Sequence, residues 1–247
     1  MTPPRPLLPA DILVDELAPL AAALLPPEVL HPAARPLADV LTPAGLSTAT
    51  GRLARALGCD DTPAVVSYWT LTYFGRVVPP LVAVALAAPG PVGVTVAADR
   101  AAVVLGDDGA LAGLRLGHAE GMEQPGAVLL QRLVRTHLEP VVAAVGRWSG
   151  LAPRLLWTNA AHYFEWMLRR LLASPAMPPV VAAEAEAFLT DRHLPDGGSN
   201  PLFGRIVYRP APAGPVRRRK VCCLRHRLPG TDDCATLCPL PEVNASA

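Results

Sequence analysis

Lysine is almost missing from this chain: of its 22 basic side chains, 21 are arginine and one, Lys220, is lysine. A background that rich in arginine makes any single arginine poor evidence of function. Aromatic residues are scarce as well, at 5% against 51% for all apolar types. The core must therefore be built from Leu, Val and Ala, which favours packed helices. Acidic residues are absent between Gly197 and Thr231, a stretch that holds eight basic ones. The net charge of +1 thus hides an asymmetry, because the remaining chain carries 14 basic against 21 acidic residues, about −7. With 247 residues there is length for one large domain or two small ones and for a sizeable core.

Other absences narrow the function. No Gly-rich phosphate loop, dinucleotide fingerprint or nucleophile elbow occurs. Any electrons the protein uses are then expected from an external electron donor protein or a small reductant. The N-terminus lacks a charged segment leading into an uninterrupted apolar run, so no secretory signal is expected. The most apolar region, residues 77–105, is cut by Pro79, Pro80, Pro89, Pro91, Asp99 and Arg100, short of a spanning helix. A cytoplasmic protein with no integral membrane segment is the expectation. The basic run from Arg217 to Lys220 has no interleaved aromatics, which argues against a nucleic-acid partner.

What is present is concentrated. Four of the five cysteines, Cys222, Cys223, Cys234 and Cys238, form the pattern Cys-Cys-x10-Cys-x3-Cys. Four thiolates are the protein complement of a [2Fe–2S] cluster and equally of a structural zinc site. The adjacent pair separates these. Two neighbouring thiolates can serve a bridged two-iron core, whereas zinc sites usually space their cysteines by two to four residues. Iron–sulfur is the first reading. A zinc-stapled, non-enzymatic binding protein is the alternative. Cys59 stands apart in a Gly-Cys-Asp-Asp loop, and His118, His137 and His193 are isolated, so all four are expected to be structural.

The flanks of the pair carry a resemblance. Arg217-Arg218-Arg219-Lys220 before it, Leu228-Pro229 after it, Leu156-Trp157-Thr158-Asn159-Ala160 upstream and Asn200-Pro201-Leu202 between them resemble the FhuF-type ferric-siderophore reductases, over roughly residues 65–240. The resemblance implies a [2Fe–2S] cofactor on the four cysteines and a ferric siderophore as substrate. It also implies one-electron reduction of chelated Fe(III) that releases Fe(II), with no catalytic residue beyond the cluster. The sequence departs from the family at one point: Ala235, Thr236 and Leu237 separate the last two cysteines, where the family has two residues. That turn must either rotate Cys238 away or widen.

Periodicity organises the rest. Helical spacing is read over residues 10–25 with Pro19 as an interruption, over 47–57 with Gly58 beyond its end, and from Thr62 to a stop before Pro79, followed by a second apolar helix over 81–87. Residues 92–96, 102–105 and 111–116 read as three strands of an antiparallel meander. Helices resume near Pro125, break near Pro140, and return over 153–173 and from Pro178 or Pro179 to 192. The fold class expected is α+β: a mainly helical body with a small antiparallel sheet, residues 1–215, and a cysteine-rich iron–sulfur tail, residues 216–247. On the helix 153–173, Leu156, Ala160, Tyr163, Met167 and Leu171 make the core stripe. Asn159, His162, Trp166 and Arg169 form another face that could meet the chelate or the tail. Candidate substrate-binding residues are therefore Asn159 and Trp166, with Arg217, Arg218 and Arg219 from the tail.

Overall fold

A computed structural model describes residues 7–175, 177–212, 214–232 and 234–240. Three one-turn helices come early, α1 (Pro9–Ile12), α2 (Ala18–Ala21) and α3 (Leu37–Val40), followed by α4 (Pro43–Leu57) and α5 (Thr62–Ala87). After the sheet strands come α6 (Ala127–Arg132), α7 (Glu139–Ser149), α8 (Pro153–Leu172) and α9 (Pro179–Thr190). The body is α+β, as expected, with α5 as its buried axis and α8 packed along it.

Each boundary of α4 and α5 has a local cause. Thr42 caps α4 by accepting the Gly45 N–H, and Gly58 ends it in the left-handed region at φ 58°. Asp61 accepts the Ala64 N–H at 3.2 Å and starts α5. Gly75 lets α5 approach α8 closely: a Cβ there would stand 2.8 Å from the Tyr163 ring.

The expected stop before Pro79 does not occur. Helix α5 runs unbroken for 26 residues through Pro79 and Pro80, both buried. An interior proline costs ~3 kcal/mol. Around these two, Val77, Val78, Leu81, Val82, Val84 and Leu86 are all buried, at about 1.5–3 kcal/mol each, so packing outweighs the lost backbone bonds. The continuous helix is long and apolar enough to cross a membrane, with mean hydropathy 1.4, yet 78% of its most apolar window is buried inside the protein. Proline also failed as a punctuator elsewhere. Residues 10–25 split into α1, a 3₁₀ turn at Asp15–Leu17 and α2, with Pro19 in the first turn of α2 rather than interrupting it. Near Pro140 the path continues from α6 through a π-helical turn, Leu133–Leu138, into α7, whose second residue is Pro140, so the helical path passes through this proline without a break.

The strands are β1 (Leu24–Leu25), β2 (Ala34–Pro36), β3 (Val92–Thr95), β4 (Ala102–Leu105), β5 (Leu111–Arg115) and β6 (Gly117–Glu123). The predicted three-strand meander is only half right. β4 and β5 do pair antiparallel, but they sit in a four-stranded sheet ordered β1-β5-β4-β2, while β3 pairs with β6 in a separate ribbon. Residues 117–123 lack the apolar alternation that marks a half-buried strand, since most are exposed, which hid β3's partner. The β4–β5 turn is pinned to the axis: Trp69 Nε1–H donates to the Gly109 carbonyl at 3.0 Å, and Gly109 has φ 78°.

One buried histidine joins these layers. His137, in the π-helical turn, is fully buried; Nδ1–H donates to the Val96 carbonyl at 2.8 Å, and the Tyr73 hydroxyl of α5 donates to Nε2 at 2.9 Å. Burial pushes its pKa from 6.5 down to about 4. The unfolded chain therefore binds this proton below pH 6.5 and the native protein only below about pH 4. Stability is complete above 6.5 and falls as pH drops toward 4. His137 is expected to account for about 2 kcal/mol of stability lost between pH 7 and 5. Urea unfolding of His137→Gln should show a correspondingly flatter pH slope over that interval; an unchanged slope would sink the assignment.

Candidate metal centre

The cysteines are delivered by a hairpin that docks on α8. Strand β7 (Ile206–Arg209) pairs antiparallel with β8 (Val216–Arg219), aligning Tyr208 with Arg217 and Ile206 with Arg219. Alternation along β8 places Arg217 and Arg219 on one face and Arg218 on the other. The face with Arg217 and Arg219 meets one side of α8, where Asn159, His162 and Glu165 recur every three residues.

Glu165, buried on α8, accepts from Arg217 Nε and from the Tyr208 hydroxyl, both at 2.5 Å. The Arg217 guanidinium also contacts His162 Nδ1 at 3.0 Å and donates to the His162 carbonyl at 2.6 Å. Burial, then Arg219 and Arg217, push the His162 pKa down to about 3, so it is neutral here. One turn earlier, Arg219 donates to Asn159 Oδ1. Asn159 Nδ2 in turn donates to the Ser67 carbonyl at 3.0 Å and to Thr70 Oγ1 at 2.8 Å, and the Ser67 hydroxyl donates to the Cys223 carbonyl at 2.6 Å. A buried polar chain thus runs from β8 through α8 and α5 back to the cysteine pair. Arg227, beyond the pair, reaches Asp61 at 2.5 Å, tying the tail to the residue that caps α5.

None of the four cysteines forms a disulfide among the described residues; Cys223 and Cys238 are buried and Cys222 and Cys234 partly so. Cys223 Sγ and Cys234 Sγ stand 3.7 Å apart. Two thiolates on one tetrahedral ion, with metal–sulfur bonds of about 2.3 Å, would stand ~3.8 Å apart. Cys238 is close enough to act electrostatically on both Cys222 and Cys234. The Cys223–Cys234 spacing fits two thiolates on one metal ion, whether a zinc or one iron of a two-iron core. The Cys223 thiol is pulled down to about 5, first by the hydrogen bond with Cys234 and then, against burial, by Arg219. Burial raises Cys222, and the shared proton raises Cys234.

The extra residue between the last two cysteines is absorbed locally. Ala235–Leu237 forms a 3₁₀ turn, with Ala235 at φ 41° and the Cys238 N–H donating to the Ala235 carbonyl at 2.9 Å. Cys238 stays buried instead of rotating outward.

Charge supplies a second test of fit. Arg219 is 2% exposed, its Nε has no hydrogen-bond partner, and no carboxylate pairs with it among the described residues. A buried, unpaired cation is costly. Burial lowers its pKa, and Cys223, Cys234 and Cys222 act in the opposite direction. Four thiolates on an oxidised two-iron core leave a net charge of about −2, the counter-charge that Arg219 lacks. The residues fit a [2Fe–2S] group held by Cys222, Cys223, Cys234 and Cys238.

The candidate substrate residues fare differently. Asn159 is fully buried and its amide is spent on Ser67, Thr70 and Arg219, so it faces the tail and not solvent. Arg217 is held by Glu165 and His162, and Arg219 is enclosed. Arg218 is partly exposed and Trp166 is 44% exposed. Asn200 is buried, with Nδ2 donating to the Phe188 and Asp191 carbonyls at 2.9 Å each, which closes the end of α9. Ser67, Thr70, Glu165 and Tyr208 were missed. Glu165 lies beside the polar face of α8 that the sequence showed, and could have been found as the carboxylate a buried arginine needs. Ser67 and Thr70 sit in an apolar run and gave no signal.

Comparison with known proteins agrees with this geometry. The family described as "Ferric iron reductase FhuF-like transporter" matches residues 67–213, and the "FhuF 2Fe-2S C-terminal domain" matches residues 219–240. The ferric siderophore reductase of Escherichia coli (strain K12) is 28% identical over 108 residues, which are 42% of this chain and 38% of that protein. The chain thus covers under two fifths of that relative's length. Among solved structures, ATP-bound aerobactin synthetase IucA from Klebsiella pneumoniae aligns with 69% of this chain and 37% of its own, at a TM-score of 0.49 and 17% identity. With more than half of its length matched and the four cysteines inside the second match, the chain belongs to the FhuF-like ferric iron reductase family and carries that family's [2Fe–2S] domain.

Proposed function

We propose that this protein is a cytoplasmic ferric-siderophore reductase that delivers one electron to Fe(III) held by a chelator and releases Fe(II). The observation that carries this reading is the pairing of four cysteines with a buried arginine, Arg219, that has no carboxylate partner among the described residues. When bound, the [2Fe–2S] group supplies a one-electron couple in the tail. Hard oxygen donors suit Fe(III) better than Fe(II), so reduction weakens the complex. Clustered cysteines that serve a metal group suit a reducing compartment better than a disulfide framework does. The electron donor is external, a protein or a small reductant. The body, residues 1–215, seats the substrate and the tail, residues 216–247, holds the redox group; residues 241–247 lie outside the described residues.

The chain's own residues divide the work. Glu165 neutralises Arg217 and clamps the hairpin through Tyr208. Ser67 and Asn159 fix the Cys223 carbonyl and the Arg219 guanidinium in one buried network. Arg219 leaves its positive charge uncompensated beside the thiolates, which favours the more negative, reduced state and raises the potential.

The purified protein should contain about two irons and two sulfides per chain and absorb visible light. After anaerobic reduction it should release Fe(II) from a ferric siderophore to a ferrous-specific dye. Stoichiometric zinc without iron would instead establish the stapled, non-enzymatic alternative. Separately, Arg219→Gln should lower the midpoint potential. A desolvated unit charge contributes on the order of 2 kcal/mol, or ~90 mV for a one-electron couple. Because Arg219 is enclosed, that drop should persist at high salt, whereas the smaller effect of Arg218→Gln should fade. Equal shifts in the two variants, both abolished by salt, would show that burial of Arg219 does not set the potential.

A further inference from the structure

The roomiest cavity among the pockets described, about 940 Å³, lies outside the cysteine site, between α7, the start of α8 and residues 199–205. Val142, Leu151 and Trp157 supply apolar walls, and Arg135, Glu139, Arg147 and Arg205 supply the charge. Two of these charges are already spent. Arg135 binds Glu139 at 2.5 Å and Asp196 at 2.9 Å. Arg147 and Arg205 are not: among the described residues neither has a carboxylate partner, and Arg205 donates only its Nε–H, to the Pro201 carbonyl at 2.8 Å. Burial lowers the Arg205 pKa, so its charge sits in a partly desolvated wall where a counter-ion would be held strongly.

The groove is tied to the cysteine hairpin. The Lys220 N–H donates to the Arg205 carbonyl at 2.9 Å, and Lys220 lies two residues before Cys222. The backbone of the groove residue Arg205 is thus joined directly to the segment that leads into the cysteine pair. The volume, about 940 Å³, falls within the range of small-molecule sites, roughly 300–1,000 Å³.

We propose that this groove is the docking site for the ferric chelate, and that it selects complexes that carry free carboxylates and a net negative charge, with Arg147 and Arg205 as the carboxylate-binding pair. The guanidinium fork takes a carboxylate through two parallel hydrogen bonds, which a lysine would not reproduce. The apolar walls, with Trp157, pack against the ligand's carbon skeleton. The site rests on the ferric-reductase reading and adds to it a place and a charge preference.

Gallium(III) complexes separate binding from reduction, because gallium(III) has the size and donor preference of Fe(III) but is not reduced under these conditions. The full-length, cluster-loaded protein would be titrated calorimetrically with anionic gallium(III)–citrate and with the positively charged gallium(III)–desferrioxamine B. The citrate complex should bind roughly tenfold or more tightly than the cationic one, and Arg147→Glu should weaken it by roughly tenfold or more. Arg205→Gln should weaken it similarly, while Arg35→Gln in the separate cavity lined by residues 32–52 should leave it unchanged. Arg147 is exposed on α7, so its substitution tests the site even if Arg205→Gln disturbs the hairpin. Equal affinity for the two complexes, or full citrate binding by Arg147→Glu, overturns the proposal. So would an acidic electron-donor protein whose binding is lost in these variants while chelate affinity is retained. Groove-dependent gallium binding without any ferric reduction would sink the reductase reading alone, and reduction without groove-dependent binding would sink this inference alone.

Discussion

The contact on which the site depends is the one between Arg219 and Asn159. It places a guanidinium inside the protein, where none of the described carboxylates meets it, and holds it with the amide of a fully buried asparagine. That asparagine is shared with Ser67 and Thr70 of α5. The network therefore crosses two helices and the tail, and none of its members can be changed without leaving another buried polar group unsatisfied. The position of Cys223 inherits this constraint through the Ser67 hydroxyl.

Strand alternation turns three consecutive arginines into three different electrostatic objects. Arg217 is neutralised by Glu165, Arg218 points to the other face, and Arg219 is enclosed with no carboxylate on it among the described residues. Treating the run as one basic patch, as its composition invites, overlooks this. Two of the three charges are screened or cancelled, and the third acts in a medium of low polarisability.

The legible parts of the sequence were those where one local signal has one structural meaning. The four cysteines, the left-handed Gly58 and the span of α8 are of this kind. Proline misled the expectation, because Pro79 and Pro80 are conformational costs that a wholly buried helix can absorb. The β3–β6 pairing was hidden because residues 117–123 are mostly exposed and have no apolar alternation. In the site, the face holding Asn159 was read as meeting the chelate or the tail, and Arg219 of the tail is what Asn159 meets: helical spacing gives the face of a residue and leaves open what packs on it. Ser67 lies among apolar residues and becomes informative only when the Cys223 carbonyl is placed beside it.

The seat of the tail is also older than the tail in the life of each molecule. Ser67, Thr70, Asn159 and Glu165 all precede Cys222 in the chain, so the ribosome makes the receptor surface before it makes the thiols. Because domains fold as units, N-terminal parts first, while synthesis proceeds, the reactive cysteines emerge beside a surface that can already receive them. The interval in which the thiols stand unprotected against oxidation or stray metals is correspondingly short.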